Sequence, residues 1–261
     1  MANKKFGLKE VMDVTLYDTV TTKPVMNLDT LKLSSIENAS EQVSITGGKG
    51  NAKILTWDFG RTATLKMQDA LLTTKSFELL SGNASTTGNA TIYMRQDTEW
   101  DTSGATPVDK GDLYPLTATG AGAIGLAYVP LELAANILVY DADDDCGTPL
   151  AAGVLADKTL TQVAWANKKL IVYYTFTAAN ATTFLISSDK FPGTYKMVGS
   201  TVIRNAVTGK DESFQVIINN LKFKSNFTLS MEASGEPSPF DMEAEIQREA
   251  TNTKMITMIQ Y

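Results

Sequence analysis

Apolar and polar residues alternate through two stretches near the end of the chain, Ser213–Glu232 and Phe240–Ile246. Period two is the mark of β-strands with one buried and one wet face. In the first stretch Phe214, Val216 and Ile218 share one phase, while Leu221, Phe223, Phe227, Leu229 and Met231 take the other. The change at Asn219-Asn220 calls for a bulge or for a tight turn between two strands. A chain that gives this much sequence to long two-faced strands is expected to assemble rather than to catalyse.

The same patterning opens the chain. Residues 1–9 read as an arm without a core of its own, followed by strands at Val11–Asp18 and Asp29–Ile36. Glu37–Asn51 ends in Gly47-Gly-Lys-Gly50 and reads as an exposed loop. Ala52–Trp57 and Arg61–Met67 are two further strands, with Asp58-Phe-Gly60 as the break between them. Asp69–Leu72 and Ser76–Gly82 suggest short helical turns, the second with Ser76 as N-cap and Gly82 as stop.

From about Trp100 to Phe184 the strands shorten and the composition shifts to Ala, Gly, Thr and Asp. Ile137–Tyr140, Gln162–Trp165 and Lys169–Phe176 are its clear strands, which suggests a small β-sandwich module. The long-strand style resumes after Lys190. The expected organisation is therefore a core domain from residues 1–99 and 185–261 with an inserted module at 100–184.

Composition narrows the chemistry. The 261-residue chain has no histidine, which removes the commonest general base and most zinc or iron sites. Cys146 stands alone after Asp141–Asp145, so no intrachain disulfide or thiolate cluster can form. The formal net charge of -6 argues against a protein whose task is to grip phosphate. No apolar run approaches the ~20 residues of a membrane helix, and no secretory signal precedes the first strand. The expectation is a soluble protein made in a cytoplasm, with no membrane association, no cofactor and no enzymatic activity.

Three motifs have residue types that could carry chemistry. Gly47-Gly-Lys49-Gly50 lacks the spacing and the following helix of a phosphate loop, so a hairpin tip is expected. Asp141-x-Asp143-x-Asp145 has calcium-loop spacing, but Cys146 and Ala152 occupy the positions that need glycine and glutamate. Asp241, Glu243 and Glu245 share one face of a single strand opposite Phe240, Met242, Ala244 and Ile246. They form no cleft of the kind a glycosidase needs. They join Lys32, Lys66, Gln215, Lys222, Lys224 and Glu232 as candidates for a polar wall face. Trp57, Trp100 and Trp165 are scattered over different segments and suggest core packing.

A resemblance rests on Phe191-Pro-Gly-Thr-Tyr-Lys-Met-Val-Gly199, Ile203-Arg-Asn-x-x-Thr-Gly-Lys-Asp211, Ser213–Ile218, Ser225–Leu229, Phe240-Asp-Met-Glu243, Met258–Tyr261 and Gly60–Leu72. Over about 1–95 and 185–261 the chain resembles the major tail tube protein of long-tailed bacteriophages, especially those with contractile tails. The resemblance implies a mainly β fold: an antiparallel β-sandwich or barrel of the phage tail tube type, with an inserted Ig-like β module and one short helix. It also implies homohexameric rings that stack into a hollow tail tube in the virion, conducting double-stranded DNA without holding it. Tail sheath and baseplate or terminator proteins are the implied partners. By the same resemblance the N-terminal arm and the loop at about Glu37–Ala52 touch the adjacent ring, through Phe6, Leu8, Glu41, Val43, Ile45 and Lys49. A capsid decoration or tail terminator protein is the alternative within virions. A carbohydrate-binding or hydrolytic β-protein is the alternative of another class.

Overall fold

The computed structural model describes residues 5–103, 106–229 and 239–261. The chain is mainly β and antiparallel throughout, and divides into two compact units, Met1–Ser85 with Phe184–Tyr261, and Thr86–Thr183.

In the first unit β1 (Phe6–Leu8), β2 (Asp13–Asp18) and β3 (Pro24–Leu28) lead to β4 (Leu31–Gly47) and β5 (Ala52–Asp69). The helix α1 (Thr74–Ser81) follows. The second unit holds β6 (Thr86–Gln96), β7 (Trp100–Asp101), β8 (Val108–Asp109), β9 (Ala123–Gly125) and β10 (Leu138–Asp141). It continues with β11 (Val154–Ala156), β12 (Thr159–Thr161) and β13 (Leu170–Thr183). The chain then returns to the first unit with β14 (Thr194–Asn205), β15 (Asp211–Phe223), β16 (Phe240–Gln247) and β17 (Ile256–Gln260).

Nine strands of the first unit form one sheet in the order β3-β2-β14-β15-β16-β5-β4, with β1 on β14 and β17 on β15. Its inward side chains include Leu16, Leu65, Met197, Ile218, Leu221 and Ala244, each with no exposed surface. The change of phase at Asn219-Asn220 is a bulge, not a turn. Ile218 pairs with Met197 and Leu221 with Tyr195, so two residues of β15 oppose Lys196 alone. The bulge keeps Val216, Ile218, Leu221 and Phe223 in one core and lets β15 exchange its partner from β17 to β16.

Several local expectations are corrected. Glu37–Asn51 is not a loop: most of it is the outer half of β4, paired with β5 nearly to the tip, and only Gly48–Asn51 form the turn. Asp58-Phe-Gly60 does not break the strand, because Gly60 adopts φ +58° and β5 runs on through it. The pattern pointed to a strand through Glu232, but β15 ends at Phe223 and residues 224–229 are irregular. Part of the N-terminal arm is the short strand β1, paired with Ile203–Asn205. The helix is capped by Thr73, whose hydroxyl accepts from the Ser76 N–H at 3.1 Å, while Ser76 is buried inside the first turn. Gly82 closes it at φ +70°, donating its N–H to Glu78 O as expected of a left-handed stop.

The second unit has its own core. Two three-stranded sheets, β10-β13-β6 and β11-β12-β9, contribute Val139, Val172, Tyr174, Ile124 and Leu160 to one apolar cluster around Trp165. Gln96 is fully buried there and saturated: its amide donates to Gly125 O at 3.0 Å and accepts from Ala127 N–H and the Tyr174 hydroxyl. Of the three tryptophans only Trp165 is a full core residue, since Trp100 is half-buried and Trp57 is 48% exposed.

Candidate assembly surfaces

The long hairpin β4–β5 changes character along its length. Near its base Ile36 and Leu65 face each other on the core side, while Ser35 and Lys66 face outward. Further out, the step from the Ala39–Thr62 pair to the Glu41–Phe59 pair adds one residue to β5, beside Gly60. An extra residue in one strand turns the following side chains of that strand to the other face. Beyond it Val43 opposes Trp57 and Ile45 opposes Leu55, with Phe59 next in line. All five are about half exposed, and by the unbroken alternation of β4 they lie on the side of Ser35 and Glu37, away from the unit's own core.

The opposite face of the outer hairpin is polar and closed on itself. Gln42 Nε2 donates to Asp58 Oδ1 at 2.7 Å, and the Ser44 and Thr56 hydroxyls are 3.0 Å apart. Thus the outer hairpin has one satisfied polar face and one apolar face that its own chain leaves uncovered. Lys49 sits in the turn at the tip.

A second apolar surface lies on the core side of the same sheet, where the inner faces of β14, β15 and β17 are only partly covered. A groove of ≈ 320 Å³ is lined there by Phe6, Leu8, Ile36, Phe214, Val216 and Met258 among others. It adjoins a second groove of ≈ 500 Å³ that shares Ile36 and Met258 and adds Met255 and Ile256. Phe6 rests near Phe214 at a ring separation of 6.4 Å.

The proposed wall-face residues fall mostly on one outward surface. Gln68 Nε2 donates to Asp241 Oδ1 at 2.9 Å, Lys66 Nζ lies 3.3 Å from Glu37 Oε2, and Lys224 Nζ donates to Glu243 Oε1 at 2.6 Å. The Lys224 ammonium holds the Glu243 carboxyl below the usual carboxylate range. Lys66 pairs across the strands with Glu243, and Lys222 with Glu245, although the Lys222 ammonium itself donates to Pro192 O. The surface is therefore a ladder of alternating charge rather than a purely acidic field. Gln215 is on β15 beside Ile259, outside this ladder. Lys32 is the exposed extra residue between Leu31 and Leu33, and Glu232 lies outside the described residues.

The sequence candidates thus separate into two places. Glu41, Val43, Ile45 and Lys49 belong to the outer hairpin, and Phe6 and Leu8 to the groove. Leu55, Trp57 and Phe59 on β5, and Phe214, Ile256 and Met258 around the groove, were not singled out by the sequence reading. The matching odd-number phase of Val43, Ile45, Leu55, Trp57 and Phe59 was the available signal.

The Asp141–Asp145 turn is occupied by protein contacts. Lys168 Nζ reaches Asp141 at 3.4 Å, and Asp145 binds Arg95 at 3.1 Å and the Tyr173 hydroxyl at 2.9 Å. Among the described residues no group of three or more His, Cys, Asp or Glu side chains is arranged to hold a metal ion. Among them, too, no helix is long and apolar enough to cross a membrane.

Together, the open-edged antiparallel sheet and its uncovered hairpin define a structural β-protein with surfaces suited to further contacts. The sequence model of the YomU/Tube protein family matches residues 6–260, and the chain belongs to that family. This is a phage-derived, tube-like family, and the protein is a tube protein of phage type. No curated protein matches the chain at a significant level.

Proposed function

We propose that this protein is the major tube subunit of a contractile phage tail, assembling with copies of itself into hexameric rings that stack into a hollow, DNA-conducting tube. The observation that carries the reading is the outer hairpin: five large apolar side chains on one face, each about half exposed, within a family of tube proteins. Contiguous exposed apolar surface of this kind marks a protein interface. A subunit that must repeat can leave such a face uncovered, because the next copy covers it.

The sheet supports the same reading. β3 and β4 end the sheet's main strand order, and β4, 17 residues long, pairs among the described residues with β5 alone. A long free edge is a template for pairing with another strand, and closure of a ring removes it. Net negative charge would keep the wall from gripping phosphate, so that DNA slides through. The second unit serves as an Ig-like module on the tube's outside, and sheath, baseplate and terminator proteins are the partners of the finished tube. The subunit carries out no chemistry. Family membership favours this reading over a capsid decoration or tail terminator protein.

Sedimentation of the purified protein over a range of concentrations tests it. Growth into species much larger than a hexamer supports the reading, and a monomer at every concentration contradicts it.

A further inference from the structure

We infer that the outward face of sheet β10-β13-β6 in the second unit is a binding site for neutral saccharides. The inference concerns this unit alone and stands independently of the tube reading. Met94 and Tyr174 point into the unit's core, so by alternation Tyr93 and Arg95 of β6 and Tyr173 and Thr175 of β13 face outward. Tyr93 pairs with Thr175, and Arg95 with Tyr173, which on its other side pairs with Leu138. Tyr93 and Tyr173 are thus diagonal neighbours on one face, about 7–8 Å apart by strand geometry. Over them lies a cleft of ≈ 370 Å³, lined also by Glu132 and Asn136. Tyr93 is 87% exposed, an unusual place for an aromatic ring with no ligand to stack on. Apolar and aromatic walls with a few fixed polar groups are the make-up of a ligand site.

The polar groups are set before any ligand arrives. Arg95 donates from Nε to the Tyr173 hydroxyl at 3.2 Å, from Nη2 to Asp145 at 3.1 Å, and from Nη1 to Asp97. The Tyr173 hydroxyl donates in turn to Asp145 at 2.9 Å. Glu132 accepts from the Thr175 N–H at 2.9 Å and from the Thr175 hydroxyl. Side chains already held this way lose little freedom on binding.

Charge selects the class of ligand. Arg95 lies beside both rings, so a cation stacked on the tyrosines would meet a guanidinium. Asp97, Asp145 and Glu132 outnumber Arg95, so an anion would meet net negative charge. An uncharged ligand remains, with a flat apolar face for the rings and donors for the carboxylates. A carboxylate has about four acceptor sites, so Glu132 keeps capacity beyond Thr175. A saccharide ring meets both demands, through the C–H groups of its face and the hydroxyls around its edge.

Binding of the full-length protein to a printed array of neutral and acidic oligosaccharides tests the site. Retention on neutral members is expected. Tyr93→Ala should weaken it at least tenfold, whereas Tyr93→Phe keeps the ring and should bind as the unaltered protein does. Tyr114→Ala, at an exposed tyrosine of the same unit outside the cleft, should change nothing. Circular dichroism of each variant separates misfolding from a lost contact. In NMR the retained sugar should shift the Tyr173 ring resonances, and excess tetramethylammonium should not displace it. The saccharide site is overturned by an absence of neutral binding, by binding confined to acidic members, by binding that survives Tyr93→Ala, or by displacement with tetramethylammonium. None of these outcomes touches the tube reading, which rests on the first unit.

Discussion

Val43 and Trp57 stand directly opposite each other across the hairpin, on the face of the sheet away from that of Ile36 and Leu65. One inserted residue makes the difference. Gly60 sits at this point with φ +58°, and a Cβ there would approach the Glu41 side chain at 3.5 Å. The space is open; the backbone conformation is what excludes a branched side chain. Replacement by valine should destabilise the first unit by about 1–3 kcal/mol, read as a lower denaturant midpoint. It should also reduce assembly, because the bulge sets which way Trp57 faces.

Gly82 presents the harsher case. Its φ is +70°, and an added Cβ would lie 2.3 Å from Phe191 O, a backbone atom that cannot swing away. Gly82→Ala should cost about 2–4 kcal/mol, more than the left-handed conformation alone, in chemical denaturation of the full chain.

Glu78 gives a pH prediction. Its carboxylate accepts from Lys75 Nζ at 2.6 Å, from the Ser85 hydroxyl at 2.6 Å and from the Ser85 N–H at 2.9 Å, in that order of effect. These contacts bring its pKa from 4.5 down to about 2. A depressed carboxylate pKa stabilises the fold fully above the unfolded value, and the contribution fades as pH falls from 4.5 towards 2. Carboxyl-selective NMR titration should show Glu78 protonating near pH 2. Because Lys75 is largely exposed, Glu78→Gln should cost only on the order of 1 kcal/mol at neutral pH and flatten the acid limb of stability.

The second unit offers a clean excision. Thr86 pairs with Thr183 across the first and last strands of the unit, so its two ends lie side by side. Joining Ser85 to Phe184 through two glycines should leave the first unit folded, with an unchanged cooperative transition in circular dichroism. Removal of 100–184 instead takes away the whole of β13 and leaves β6 without its partner, and that chain should aggregate.

The readable parts of this fold were those whose alternation is enforced by a core. Phe240, Met242, Ala244 and Ile246 bury one face of β16 and expose Asp241, Glu243 and Glu245 on the other, so the pattern is plain. The change of phase at Asn219-Asn220 was visible because both sides of it bury apolar residues, but only the pairing with β14 decides between a bulge and a turn. The outer hairpin was not, because no core of its own chain imposes a pattern there and its glycine-rich tip resembles a loop. Glu41, Val43, Ile45 and Lys49 and the arm residues Phe6 and Leu8 were reached through resemblance alone, and Trp57 was taken for a core residue. The helix start was misplaced at Ser76 because Thr73 and Thr74 are equally good capping residues in sequence. Only the turn geometry selects Thr73.

Electron microscopy of the unaltered, purified protein tests the central claim most directly. The account predicts hollow tubes built of stacked rings, six-fold in end-on view, with a channel wide enough for a DNA duplex. Discrete monomers or two-fold dimers at the highest attainable concentration, with no rings or tubes, would contradict it.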